Sequence, residues 1–391
     1  MTKESVLTRT LRVAMNGITG RMGYRQHLVR SILPIRDQGG VTLEDGTSVQ
    51  VEPVLVGRNG ARLREIAAEH GVEHISTDTD GCMTADDIDV YFDAQATTRR
   101  FTALSSAIAA GKHIFTEKPT AETLHQAIEL ARLAKQAGII DGVVHDKLYL
   151  PGLVKLRQLI DEGFFGRILS MRGEFGYWVW EGTDVPAQRP SWNYRAEDGG
   201  GMTTDMYPHW NYVIEGLLGT ITSVYTQTTT HIPERVDEHG ATYKATADDA
   251  AYGIFEVSSP KGEPVIVQLN SSWDVRVHRK ELVEFQIDGT LGSAVAGLRS
   301  CVTQSRADTP TPTWNPDLPD PNDYLSQWND VTDTDLENGF KLQWEEFLRD
   351  VAAGRKHRYD LLSGARGVQL AELGMRSSAE GRRLDVPEIV L

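Results

Sequence analysis

A chain of 391 residues is long enough to bury two hydrophobic cores, and 40% hydrophobic with 24% charged residues is the composition of an ordinary globular domain in water. A formal net charge of −15 argues against the basic face that nucleic-acid binding requires, although a pocket can still be locally positive toward a small anion. The two cysteines, Cys82 and Cys301, lie far apart with no histidine cluster beside them, so neither a disulfide framework nor a zinc pattern is present and no metal is expected.

No apolar run has the length of a signal peptide or a membrane span, so no membrane partner is expected and the expected location is cytoplasmic. Along the first 145 or so residues, short apolar runs alternate with helical patterns. "LRVAMNG" precedes "GYRQHLVRSIL", "VEPVLVG" precedes "ARLREIAAEHG", and "DVYFDA" precedes "FTALSSAIAAG". "HIFTEK" then precedes "AETLHQAIELARLAKQAG", and "GIIDGVV" reads as a further buried strand. This alternation predicts βαβ units and a doubly wound parallel sheet, an α/β Rossmann domain over residues 1–146. The inserted "RDQGGVTLEDGTSVQ" predicts a surface excursion or small hairpin.

After "LYLPGLVKLRQLIDEGFFG" the pattern changes to alternating β-branched runs such as "RILSMRGEFGYWVW", "AAYGIFEVSS" and "EPVIVQLNSSW". These predict an α+β domain over residues 147–391 with a large, mostly antiparallel open sheet. "ADTPTPTWNPDLPDPNDYL", residues 307–325, is too rich in proline for regular structure and reads as a long loop, a lid or arm or a plain surface segment. Helical patterns return in "FKLQWEEFLRDVAAG" and "SGARGVQLAELGMRSSAEG".

The turn "NGITGRMG" follows the first strand and opens the first helix, the setting of a phosphate-binding loop, although its glycines are spaced in threes. Gly17 suits the sharp turn, Gly20 close approach to a pyrophosphate, and Gly23 tight packing of the helix, whose N-terminus offers amides and partial positive charge. At the end of the second strand Gly57 and Arg58 stand where an acidic residue would select NAD, so NAD and NADP both remain open. Candidate cofactor residues are Gly17, Thr19, Gly20, Arg21, Met22 and Gly23, with Arg58, Glu117 and Lys118. Lys118 of "AGKHIFTEKPT" falls where a parallel strand ends, and a lysine there can stabilise charge on a substrate oxygen. Read alone, the motif describes no more than a surface lysine before a helix-starting proline.

"AGKHIFTEKP" resembles the signature of the glucose–fructose oxidoreductase, inositol dehydrogenase and rhizopine-catabolism family, GFO/IDH/MocA. The similarity continues through "LPGLVKLRQLIDEGFFGRILSMRGEF", "GGGMTTDMYPHWNYVIEGLLG" and "FLRDVAAGR", whereas "GITGRMG" is closer to the turn of dihydrodipicolinate reductases. The resemblance implies that His209 exchanges a proton with the reacting hydroxyl while Asp205 and Lys118 hold and polarise the substrate. Asp205 and His209 are four residues apart, on one helix face, provided Pro208 lies in the first helical turn. Tyr207 stands where the family commonly has glycine and is a candidate second acid or base. His145, Asp146 and Lys147 replace a less charged stretch and are candidates for substrate contact or for a plain salt bridge. Trp178, Trp180, Trp192 and Tyr194 suggest stacking on sugar faces beside a tryptophan-rich core, with Trp178 and Trp192 taken as substrate residues. Arg189, Arg195, Arg276 and Arg279 are candidates for recognising an anionic substituent. The Lys118–Pro119 bond is expected to be cis, and the open sheet to pair subunits into a homodimer or homotetramer.

Three functions compete. The first is an NAD(P)-dependent dehydrogenase of a sugar or cyclitol. The second is a redox-neutral glycoside hydrolase working through a transient 3-keto sugar, which needs an extra acid or base and accommodates sulfonated or carboxylated glycosides. The third is a non-catalytic sugar sensor, against which Lys118, Asp205 and His209 all count.

Overall fold

The computed structural model describes residues 8–331 and 338–391. These form two compact units: the chain through Tyr149 with residues 338–369 and Glu388–Leu391, and residues 150–331 with Leu370–Pro387. The boundary at Tyr149 lies close to the expected one. The return of the C-terminal segments to the first unit differs from the expected division, which assigns everything from residue 147 onward to the second.

The first unit is built on a sheet of β1 (Thr8–Asn16), β2 (Val41–Thr42), β3 (Ser48–Val56), β4 (His74–Ser76), β5 (Val90–Asp93), β6 (His113–Thr116) and β7 (Asp141–Val143). Their order is β2-β3-β1-β5-β6-β7, with β4 also on β3, and β2 alone is antiparallel. The excursion between residues 36 and 50 is the small β2–β3 hairpin. From β1 the chain reaches β3 on one side and β5 on the other, so a crevice opens outside their carboxyl ends. Register sharpens this: Asn16 is level with Asp93, Asp93 with Thr116, and Thr116 with Val143. The loops starting at Gly17, Ala94, Glu117 and Val144 therefore leave the sheet side by side.

Alternation along β5 sends Phe92 to one face and Tyr91 to the other, and each face has its own apolar cluster. The Tyr91 face is closed by α4 (Thr97–Ala109) and α5 (Leu124–Ala137) through Leu104, Ile108 and Leu130. The Phe92 face is closed by the wide-turned helix Met22–Ile32 and by α8 (Gly339–Ala353), whose Trp344, Phe347, Leu348 and Val351 enter that core. An amphipathic period predicts that α8 buries a face, but not which sheet it covers.

In the second unit a nine-stranded sheet runs, from edge to edge, β17 (Asn329–Asp330), β16 (Cys301–Ser305), β15 (Gly292–Ala296), β14, β8, β13, β12, β9 and β18 (Leu384–Asp385). Its long central strands are β8 (Ile168–Gly176), β9 (Thr220–Thr229), β12 (Ala250–Ser258), β13 (Pro264–Ser272) and β14 (Val283–Gly289). All pairings are antiparallel except β8 with β13. Burial alternates along β12 and β13, one face packed and the other outward, the mostly antiparallel open sheet that the sequence pattern predicts. Helix α7 (Met202–Leu217) packs on the covered face. The proline-rich segment forms no strand or helix, and Trp314 within it is 94% exposed. No helix among the described residues is long and apolar enough to cross a membrane.

One carboxylate in the first unit makes stability depend on pH. Burial, with Asp360 close by, raises Asp141 from 3.8 to about 6, although Leu361 N–H donates to it at 2.6 Å. A carboxyl with a raised folded pKa contributes its stability at low pH and loses it as pH rises through the folded value. Asp141→Asn keeps the acceptor and should track wild type near pH 4, then exceed its urea stability by roughly 2 kcal/mol at neutral pH. An unchanged difference across that range in urea denaturation would contradict the assignment.

Candidate active site

At the crevice, Gly17 has φ of 84°, and a Cβ there would lie 2.5 Å from the Ala94 carbonyl carbon. The residue must be glycine for the turn to close against the β5 loop. Gly23 is equally cramped, its Cβ position 2.5 Å from the Gly17 oxygen, so this glycine packs helix against turn. Gly20 N–H donates to Gly17 O at 3.0 Å, and Tyr24 N–H to Gly20 O at 2.9 Å, starting the helix directly from the turn.

A cavity of about 770 Å³ lies here, lined by Asn16, Gly17, Thr19 and Gly20, by Gly57 and Arg58, and by Ala94, Gln95 and Ala96. Thr79, Asp80, Arg99 and Ser106 complete much of its wall. A glycine turn that excludes any Cβ, a helix N-terminus behind it and two arginines on the wall fit a dinucleotide's phosphates. Arg21, Met22 and Gly23 do not line the cavity. Asp80 and Arg99 were missed in the sequence because nothing local marks them: both belong to helices whose distance from the turn is set by the fold.

The third loop is held by charge. Arg100, 3% exposed, donates from Nε to Asp93 Oδ1 at 3.0 Å and from Nη2 to Gln95 O at 2.7 Å, and from Nη1 to Pro119 O. One guanidinium thus ties the loop after β5 to the loop after β6. The Lys118–Pro119 bond is cis, as expected. Glu117 is buried; His27 Nε2 lies 2.9 Å from its Oε1, and Lys118 N–H donates to its Oε2 at 3.1 Å. Burial alone would push the Glu117 carboxyl up, but the His27 hydrogen bond and the nearby charges of Lys118 and Arg100 bring it below its usual range.

His145 and Asp146 follow β7 and are both buried, with Lys147 Nζ 3.6 Å from Asp146 Oδ1. His145 N–H donates to Gln343 Oε1 at 2.7 Å, its ring lies 4.8 Å from that of Tyr359, and burial holds its pKa well below the usual imidazole value. This is the environment of a neutral, packed histidine.

In the second unit, Gly201 at φ 126° starts α7, and Asp248 caps it: Oδ2 accepts from Thr203 N–H at 2.9 Å and Thr203 Oγ1 at 2.6 Å. The residue that caps the helix is Asp248 and not Asp205. Asp205 Oδ2 accepts from Arg189 Nη1 at 3.0 Å, while Arg189 Nε donates to Tyr177 Oη at 3.0 Å and its guanidinium lies 4.3 Å above the Trp273 ring. His209, one turn on, has Nδ1 2.7 Å from the buried Tyr212 hydroxyl. Tyr212 is a site residue the sequence reading missed, three positions beyond the histidine on the same helix. Pro208 lies inside α7, not in its first turn.

Several expected site residues are placed elsewhere. Tyr207 is sealed in the core, its hydroxyl 2.9 Å from Thr226 Oγ1 and its ring against Phe255, and burial drives the phenol well above its usual range. It packs and is not an acid or base. Tyr194 is core too, with buried Arg235 lying 3.8 Å above its ring. Trp178 is stacked under Arg276 at 4.2 Å, whereas Trp192 stays 51% exposed. The four arginines do not share a target: Arg195 lies over Tyr243, and Arg279 donates to Gly176 O and Leu282 O.

Two family models match the chain: an oxidoreductase family with an NAD-binding Rossmann fold over residues 11–145, and the GFO/IDH/MocA C-terminal domain over residues 153–295. The chain is 67% identical to D-xylose dehydrogenase of Paenarthrobacter nicotinovorans over 392 residues, covering all of both chains. It belongs to the GFO/IDH/MocA family. Another member, levoglucosan dehydrogenase of Pseudarthrobacter phenanthrenivorans, is 27% identical over 264 residues, covering 63% of this chain and 65% of its own. A solved levoglucosan dehydrogenase in its apo form shares the family fold at TM-score 0.79 and 22% identity, over 98% of this chain and all of its own. A levoglucosan dehydrogenase complex with NADH gives TM-score 0.77 at 21% identity over the same shares. The Rossmann match spans every loop of the crevice.

With Tyr207 in the core, Tyr207→Phe should keep kcat within about twofold and lower stability by about 1 kcal/mol, the worth of one buried hydrogen bond. A collapse of kcat with unchanged folding would return the phenol to the chemistry.

Proposed function

We propose that the protein is an NAD(P)-dependent sugar oxidoreductase whose substrate is D-xylose or a closely similar aldose. The observation that carries this reading is identity at two residues in three, across the whole length, with a D-xylose dehydrogenase. The crevice supports it independently, since its glycine turn and cavity suit a dinucleotide. No carboxylate occupies positions 57–59, and Arg58, Arg99 and Asp80 line the wall, so the cofactor is NAD or NADP.

When bound, the nicotinamide supplies a hydride acceptor. The protein's own task is to bind the sugar and manage the proton. Lys118 donates from its ammonium to the reacting oxygen and stabilises charge there. His209 takes the hydroxyl proton on Nε2, the role that goes with the tautomer in which Nδ1–H donates to Tyr212 Oη. Asp205, held by Arg189, binds a sugar hydroxyl. Outward residues Tyr225, Tyr252, Ile254 and Ile266 form an apolar row on the second-unit sheet, suited to a second copy of the chain in a homodimer or homotetramer. The redox-neutral hydrolase reading required an extra acid or base and loses its phenol candidate with Tyr207 buried.

Purified protein offered free sugars and aryl glycosides, with cofactor absorbance and released phenol followed together, should reduce cofactor with D-xylose and release no phenol. Lys118→Ala and His209→Asn should each lower kcat by about a hundredfold or more while still binding the dinucleotide. Phenol release without reduced cofactor, or full activity in both variants, would contradict the reading. Light scattering on the same preparation should give a dimer or tetramer, not a monomer.

A further inference from the structure

We infer that Trp344 and His27 are positioning residues for the loop that carries Lys118: an indole that can only donate fixes His27 as its Nε2–H tautomer, and that hydrogen holds Glu117 as a carboxylate against the peptide nitrogen of Lys118. The chain of contacts is continuous and lies in the first unit. Trp344 Nε1 donates to His27 Nδ1 at 3.0 Å, His27 Nε2 is 2.9 Å from Glu117 Oε1, and Lys118 N–H donates to Glu117 Oε2 at 3.1 Å.

The tautomer follows from donor chemistry. Indole N–H has no acceptor function, so Nδ1 must present its lone pair and the imidazole proton resides on Nε2. An imidazolium would set two N–H groups against each other. His27 and Trp344 are fully buried and Glu117 nearly so, leaving no water to substitute for a lost partner. Around His27 stand the rings of Phe92 at 4.4 Å from β5 and Phe340 at 5.1 Å from α8, with Glu117 the charged group that faces it. The groups acting on Glu117 are His27, Lys118 and Arg100. With Oε1 accepting from His27 and Oε2 from Lys118 N–H, both bonds favour the ionised carboxylate as their acceptor.

The consequence for function rests on the reading of Lys118 as the residue that polarises the substrate oxygen. The bond from the Lys118 backbone N–H to the buried Glu117 carboxylate sets the direction in which the lysine side chain leaves the loop. Neither residue is conspicuous in the sequence. His27 sits on the buried side of a helical period, where a packed histidine is the ordinary interpretation, and Trp344 lies more than three hundred residues away.

The tautomer can be read without turnover. In the whole protein labelled with 15N-histidine, with His27→Gln used for assignment, long-range 1H–15N spectra of the neutral ring should show an unprotonated Nδ1 and protonated Nε2 for residue 27. A protonated Nδ1 would overturn the inference. Kinetically, His27→Leu should lower kcat about tenfold or more with little change in dinucleotide affinity measured by direct titration. His27→Gln, which can still accept from the indole and donate to Glu117, should recover most of that loss. Trp344→Phe should leave both tautomers of residue 27 in the spectra, because no donor then holds the lone pair at Nδ1. A folded His27→Leu protein with wild-type kcat would also overturn it. If Lys118→Ala retains activity while the tautomer is as described, the role of Lys118 fails and the hydrogen-bond relay stands.

Discussion

One buried guanidinium organises the carboxyl end of the first sheet. Arg100 reaches from the start of α4 to the Asp93 carboxylate, the Gln95 carbonyl and the Pro119 carbonyl, so the loops after β5 and β6 are fixed to one planar group. Asp93 is itself satisfied by Gln95 N–H at 3.1 Å and Gln95 Nε2 at 2.8 Å. Charges this deep are tolerated only with full pairing, and stripping one member of such a pair costs about 3–5 kcal/mol. Because Ala94 to Ala96 also wall the cofactor cavity, the same cation sets both the floor of the dinucleotide crevice and the setting of Lys118.

The two units solve a common problem in similar ways. In each, the residues assigned to chemistry belong to short polar chains that end in the core. Glu117 and Lys118 are backed by His27 and Trp344; Asp205 by Arg189, Tyr177 and the Trp273 face; His209 by Tyr212. A reacting group with a fixed partner needs little reorganisation when charge develops on the substrate, which is where electrostatic catalysis gains most. The tryptophans and arginines of the second unit serve mainly in this supporting role, stacked on one another and not converging on one anion.

Much of this was legible in the sequence, and the remainder was not for definable reasons. The parallel sheet, the glycine turn and the mostly antiparallel second sheet follow from local periodicity and turn chemistry, and all are present. Gly17 and Lys118 could be singled out because each stands just beyond the end of a parallel strand, where the sequence pattern marks the position. Tyr207 was misread because it neighbours two polar residues in sequence, whereas on a helix i±2 neighbours face apart from one another. The assignment of α8 to the second unit failed because amphipathicity carries no address. His27, Arg100, Asp80 and Trp344 act across long sequence separations, and only tertiary packing brings them to the loops they support.

The central claim is that a carbon-bound hydrogen of a free sugar leaves as hydride to a bound nicotinamide. D-xylose deuterated at all its carbon-bound positions tests this most directly, with the reduced cofactor and the sugar product both analysed by mass. The account predicts one deuterium in each reduced nicotinamide and a product poorer by one. Recovery of unreduced cofactor with the sugar's label intact, or label lost to water alone, would contradict it.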